Sequence, residues 1–342
     1  MLRSFLFVVF VALVLNTPAQ AEPPTIIASR CGETGGMENS LPALTLAATT
    51  DVDFIHLPLA LTKDDQLVVY GSSSLDQLTD VHRIFPERKR DDGKYYVMDF
   101  TLNEIRQLHR VDQSMENSRI PGPSFAIATL AENLALVRYL EKRLDKVIGI
   151  APEIVEPMLY QQNSKDISQA ALTLLQKFNY LSEADRIYLA SRDGDELQRI
   201  ATSLMPAMKI DLQLLQLIGP LPKAGASDPS EIFTDSSGWV LSQLGVKVLS
   251  RTVAAVAIDY SRLVDSNGEL LQEDYVSAAH SLGLKIYAAG LNSSNQALPP
   301  FAKNYRELLD YLRNKAGIDG LMTTSMQESL GWRTPAPTPQ KE

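Results

Sequence analysis

The sequence predicts an α/β fold, a (β/α)8 TIM-type barrel carrying a long excursion after an early strand. Three observations lead there. Short apolar blocks recur along the chain, and amphipathic helical stretches lie between several of them. No Gly-x-Gly-x-x-Gly fingerprint follows the first block, so a doubly wound dinucleotide-binding sheet has no local support.

In chain order, Thr25–Ala28, Phe54–Leu57 and Leu67–Val69 read as strands. Val147–Ile150, Arg186–Leu189 and Ile210–Leu217 follow, then Val253–Ile258, Leu284–Ala288 and Gly320–Met322. Their compact apolar runs suit strands buried on both faces. Leu134, Val137, Leu140, Glu141 and Leu144 set a helical spacing over Leu130–Leu144. Ser168–Phe178, Asp195–Leu204, Asp274–Leu282 and Tyr305–Ala316 read as further helices. Gly283 and Gly317 stand just past helix ends, where a left-handed residue is wanted. The segment 80–103 is mixed in charge and lacks a helical period, and long loops of this kind are often functional or partner-facing. Its cluster Arg88-Lys89-Arg90-Asp91-Asp92 reads as a solvated turn or, as the alternative, a docking site for a protein partner.

The two ends read differently from the interior. Residues 1–21 carry Arg3, an apolar run of eleven residues from Phe5 to Leu15, and Ala19-Gln20-Ala21. That is the layout of a cleaved signal peptide, and the run is too short to span a bilayer. Residues 22–333 are expected to form a single barrel, and the Pro-rich stretch 334–342 a disordered tail. The formal net charge of −9 argues against a nucleic-acid partner or an anionic membrane surface, and no other apolar run is long enough to cross a membrane. Cys31 is the only cysteine, which excludes an internal disulfide and a thiolate metal cluster.

In a barrel, chemistry sits at the carboxyl ends of the strands. The residues to watch are therefore those around Ser29, His56, Tyr70, Glu153, Ser191, Asp259, Ala288 and Thr324.

Three stretches resemble the glycerophosphodiester phosphodiesterase family, in its exported bacterial branch. They are IIASRCGETGGMENS at 26–40, VDFIHLPLALTKDDQLVVYGSSSLDQLTDV at 52–81 with its continuation RIFPERKRDDGKYYVMDFTLNEI, and VIGIAPEIVEP at 147–157. GIDGLMTTS keeps the shape of the last strand. The resemblance implies a barrel that cleaves glycerophosphodiesters to glycerol 3-phosphate and an alcohol. A divalent cation and two histidines assist, and the periplasm is the expected compartment. The family's first strand ends His-Arg-Gly, whereas this one ends Ser29-Arg30-Cys31. The phosphate-facing Arg is retained as Arg30, and the Glu of Pro-Glu-Asn-Thr as Glu38 in Met37-Glu38-Asn39-Ser40. Glu-x-Asp, two metal ligands, has become His56-Leu57-Pro58, and His-Asp has become Tyr70-Gly71. Pro-Glu-Ile-Lys has become Pro152-Glu153-Ile154-Val155, which keeps the metal-ligating Glu and loses the Lys. A late Thr-Asp has become Thr323-Thr324.

These departures lead to three expectations. The first is a barrel that has lost the family reaction and binds at most a glycerophosphodiester or another phosphate-bearing small molecule. Arg30, Glu38 and Asp259 would make that contact. Glu153 is the retained metal position and His56 a doubtful second one, so no cofactor is expected beyond a weakly held Ca2+ or Mg2+. The second is an active phosphoric diester hydrolase with a rearranged site using Ser29, His56, Tyr70 and Glu153, in which His56 is the only nearby base. The third is a structural or partner-binding role through residues 80–103.

Overall fold

Eight parallel strands close into a barrel: β1 (Thr25–Ala28), β2 (Phe54–Leu61), β4 (Gly149–Ile154), β5 (Tyr188–Ser191), β6 (Gln213–Ile218), β7 (Ala255–Asp259), β8 (Lys285–Leu291) and β9 (Gly320–Thr323). β1 closes the ring by pairing on both sides, with Ile27 beside Phe54 of β2 and Thr25 beside Gly320 of β9. The computed structural model describes residues 22–32, 38–110, 125–220, 239–294 and 298–333. The expected signal segment 1–21, the tail 334–342 and Met37 lie outside the described residues.

β3 (Leu67–Val69) is not a stave. It folds back antiparallel on β2, with Leu59 opposite Val69 and Leu61 opposite Leu67. The connection from Leu61 to Leu67 is a tight turn around Asp65, whose φ is 57°. A parallel neighbour would need a crossover of roughly a dozen residues or more. Thr62 stabilises the turn, its hydroxyl bonding Asp64 at 2.6 Å and accepting from the Gln66 N–H at 2.9 Å.

Several strands run further toward their carboxyl ends than their apolar blocks. β2 continues through Pro58 to Leu61, and β4 runs through Pro152 and Glu153 to Ile154. Every residue of both is buried. The extensions carry polar residues and prolines because they form the barrel mouth.

The helices pack outside. Leu130–Leu144 begins with a capping box, in which Thr129 and Glu132 satisfy each other's backbone N–H groups. Ile167–Lys177, Tyr275–Ser281 and Tyr305–Tyr311 supply other outer layers. Gly283 and Gly317 take positive φ values of 75° and 72° just past helix ends, which glycine adopts without steric cost.

The core has three parts. One lies between strands and helices. A second fills the barrel with Ile27, Phe54, Tyr188, Leu215, Tyr287 and Met322 among others, and the Tyr188 and Tyr287 hydroxyls meet at 3.0 Å. The third belongs to the excursion: Tyr95, Val97 and Phe100 bury themselves against Ala60, Val68 and Tyr70. No helix among the described residues is long and apolar enough to cross a membrane.

Candidate functional site

A cavity of about 1030 Å³ opens at the carboxyl ends of the strands. Ser29, Arg30, His56, Pro58, Gly71, Glu153, Val155, Asp259 and Thr324 all contribute to its wall. Positions singled out along the chain from 29 to 324 therefore converge on one mouth. Lys94 and Tyr96 of the excursion complete one side. Backbone bonds from Leu75 to Tyr95 and from Val97 to Ser73, each 2.8 Å, tie the excursion there.

His56 and Glu153 form the floor. They stand on adjacent strands, β2 and β4, and both are buried. His56 Nε2 lies 2.9 Å from Glu153 Oε2. On the other side of the ring, Nδ1 accepts the backbone N–H of Arg30 at 3.3 Å. With Nδ1 placed to accept from Arg30, Nε2 is the ring nitrogen that donates to the carboxylate. The second Glu153 oxygen, Oε1, lies 3.3 Å from Arg192 Nε. Burial alone would raise the Glu153 carboxyl. The hydrogen bond from His56 and the charge of Arg192 outweigh that and hold it down at about 2.

Arg30 reaches the cavity from a strained turn. Its φ is 52°, that of Cys31 is 67°, and Gly32 follows at 83°. A left-handed pair of non-glycine residues costs free energy that surrounding packing has to meet, and such strain is often found at sites. Here it turns the Arg30 guanidinium into the mouth, where the side chain is 47% exposed and its Nη1 lies 3.5 Å from Glu38 Oε2. Cys31 is fully buried below, and desolvation pushes its thiol up to about 12.

Two expected participants stand elsewhere. Tyr70 is fully buried in the excursion's core, away from the cavity wall, and its hydroxyl has no hydrogen-bond partner among the described residues. Burial raises its pKa further from any working range. Its neighbour Gly71, past the end of β3, reaches the wall instead. Glu38 is not part of the wall either. It stands behind Arg30, and its carbonyl accepts a bond from Arg110. Asp259 does line the mouth, but its Oδ1 is held by the N–H and hydroxyl of Ser261 at 3.0 and 2.6 Å. Ser29 lines it as well, yet both ring nitrogens of His56, the base expected to serve it, are committed to Arg30 and Glu153.

Sequence reading passed over Arg192 and Arg110. Arg192 is the residue after β5, at the strand-end position where barrel chemistry is sought, and that placement was the available signal.

A family model described as "Glycerophosphoryl diester phosphodiesterase family" matches residues 24–328. The chain belongs to this family. It is 31% identical over 323 residues to a glycerophosphodiester phosphodiesterase of Haemophilus influenzae, covering 89% of this chain and 88% of that protein. It is 28% identical over 338 residues to one of Treponema pallidum, covering 92% of each. Among solved structures, an Oleispira antarctica phosphodiesterase in complex with the product sn-glycerol-3-phosphate superimposes with a TM-score of 0.56 at 17% identity, over 90% of this chain and 96% of that one. A glycerophosphodiester phosphodiesterase of Agrobacterium tumefaciens gives a TM-score of 0.54 at 14% identity, over 89% and 98%. These superpositions carry the barrel fold.

The divalent cation that the family implies does not fit the donors present. A hard cation wants several oxygens. Glu153 is the retained carboxylate at this floor, and its two oxygens are spoken for by His56 and Arg192. His56 and Pro58 occupy the two other family ligand positions: the imidazole is engaged by Arg30 and Glu153, and Pro58 offers no side-chain donor. Among the described residues, no group of three or more His, Cys, Asp or Glu is placed to hold a metal ion.

Proposed function

We propose that this protein is an exported member of the glycerophosphodiester phosphodiesterase family that binds a phosphate-bearing small molecule at the barrel mouth and has given up the cation-dependent hydrolysis. The observation that carries this reading is the commitment of Glu153 to His56 and Arg192 in place of a metal. Hydrolysis of a phosphodiester needs the growing charge offset and protons moved to and from oxygen. Ser29 stands where one family histidine would be, and Tyr70, at the other, is buried away from the mouth. His56 has both ring nitrogens engaged, Nδ1 by the Arg30 N–H and Nε2 by Glu153. The same arrangement weighs against the rearranged-site reading through Ser29, His56, Tyr70 and Glu153.

Ligand binding is supported by Arg30, whose guanidinium opens to the cavity and whose fork matches a phosphate. The excursion supports this reading more than a docking role. Arg88 and Arg90 turn inward to Glu104 and Asp99 at 2.8 and 2.7 Å, so the basic cluster serves the loop's own fold. Export to the periplasm rests on the signal-like segment 1–21 and is part of the proposal.

The test supplies glycerophosphocholine with Ca2+, Mg2+, Mn2+ or Zn2+ in parallel and follows glycerol 3-phosphate by a coupled dehydrogenase. No release above the protein-free control is expected. Turnover comparable to the Haemophilus influenzae relative would refute the reading.

A further inference from the structure

A permanent positive charge stands against Glu153, the retained position among the family's metal ligands. Arg192 Nε lies 3.3 Å from Glu153 Oε1. Its side chain is 45% exposed and lines the mouth. The terminal guanidinium nitrogens carry four N–H donors, and no partner for them occurs among the described residues. His56 contacts the other Glu153 oxygen. Arg192 is a permanent cation in direct contact with this buried carboxylate, and the charge of Arg30 also acts on it.

We propose that Arg192 is a built-in replacement for the divalent cation: it neutralises Glu153 and presents its free nitrogens, together with Arg30, to the phosphate of the ligand, so that binding needs no metal. The inference rests on the reading of the mouth as a phosphate-binding site. A metal ion at Glu153 would have to displace the Arg192 guanidinium from Oε1 and the His56 imidazole from Oε2. An anion has no such obstacle, because it is drawn to the guanidinium that already stands there.

The acidic residues on the wall shape which anion fits. Asp76, Glu156, Asp193 and Asp259 line the same mouth. Their oxygens are drawn into local bonds: Glu156 accepts from Ser73 at 2.6 Å, Asp193 from the Glu196 N–H at 3.0 Å, and Asp76 from the Tyr95 N–H at 3.0 Å. The charges remain, with Arg30, Arg192 and Lys94 as the counterweight. A singly charged phosphodiester meets less repulsion in that setting than a doubly charged monoester.

The experiment is calorimetric titration of the protein with glycerophosphocholine, once in excess EDTA and once with Ca2+. The dissociation constants should agree within about twofold. Arg192→Gln keeps a donor but removes the charge and the fork, and should weaken binding roughly 10- to 100-fold in both buffers. Arg192→Lys preserves the ion pair to Glu153, and so guards against a folding defect. It should still lose several-fold, because an ammonium lacks the second prong. Binding that disappears in EDTA, or an Arg192→Gln protein that binds as tightly as the parent, would overturn the proposal. Phosphorus NMR of the cell contents separates the two ideas. Product there would count against the loss of hydrolysis, whereas the EDTA comparison alone decides the role of Arg192.

Discussion

Exchanging Glu153 for Gln is the perturbation whose outcome the structure defines most closely. The amide keeps the shape and can still accept from His56, but the charge is gone. The His56–Glu153 bond is almost wholly buried, with side chains 5% and 7% exposed. A buried hydrogen bond to a charged group is worth about 1.5–3 kcal/mol, and the half-exposed contact to Arg192 adds less than about 1 kcal/mol. Titration gives a similar size. The folded carboxyl is lowered from 4.5 to about 2, which corresponds to on the order of 3 kcal/mol of stability at neutral pH. Because the folded value is the lower one, the contribution is complete above about pH 4.5 and is lost as pH falls toward about 2. Urea unfolding of wild type and Glu153→Gln should therefore differ by about 2–3 kcal/mol at pH 7, and the gap should shrink by about half or more at pH 3. Equal stability at pH 7, or a gap that does not change with pH, would refute the account of the floor.

Other consequences are simpler to read. Tyr70→Phe removes a buried hydroxyl that has no hydrogen-bond partner among the described residues, so stability should be unchanged or rise by up to about 1 kcal/mol, and ligand affinity should not move; thermal melting and calorimetry check both. Cys31, with its thiol buried and raised to about 12, should resist iodoacetamide at pH 8 in the folded protein and react only in denaturant, which mass spectrometry reads directly. Arg90 grips Asp99 with two bonds of 2.7 Å and stacks 4.7 Å over the Tyr96 ring, so Arg90→Ala should cost about 1 kcal/mol. It should also speed amide exchange through 89–99 while leaving the barrel strands unaffected; unchanged exchange would mean that the excursion is held by other contacts.

Much of the barrel was legible because its staves are apolar blocks separated by amphipathic helices. The strand ends were less so. His56, Pro58, Glu153 and Asp259 interrupt the hydrophobic pattern where strands run into the mouth, so patterning alone stops short there. β3 reads like any other short strand, and only its five-residue link to β2 reveals an antiparallel return. The positions of the site were legible through the family motifs, and Ser29, Arg30, His56 and Glu153 do share one cavity. Two things were hidden. At the Tyr70-Gly71 step, just past β3, Gly71 reaches the mouth and Tyr70 the core of the excursion, and the motif does not specify which. Arg192 carries no motif at all, since its meaning comes from a contact with a residue thirty-nine positions earlier.

The most direct test of the central claim is phosphorus NMR of glycerophosphocholine incubated with the protein and Ca2+, beside an equal amount of the Haemophilus influenzae relative. The account predicts that the phosphodiester resonance persists unchanged with this protein while the relative converts it to glycerol 3-phosphate. Conversion by this protein at a comparable rate would contradict the claim that its metal-dependent chemistry has been exchanged for an Arg192–Glu153–His56 floor.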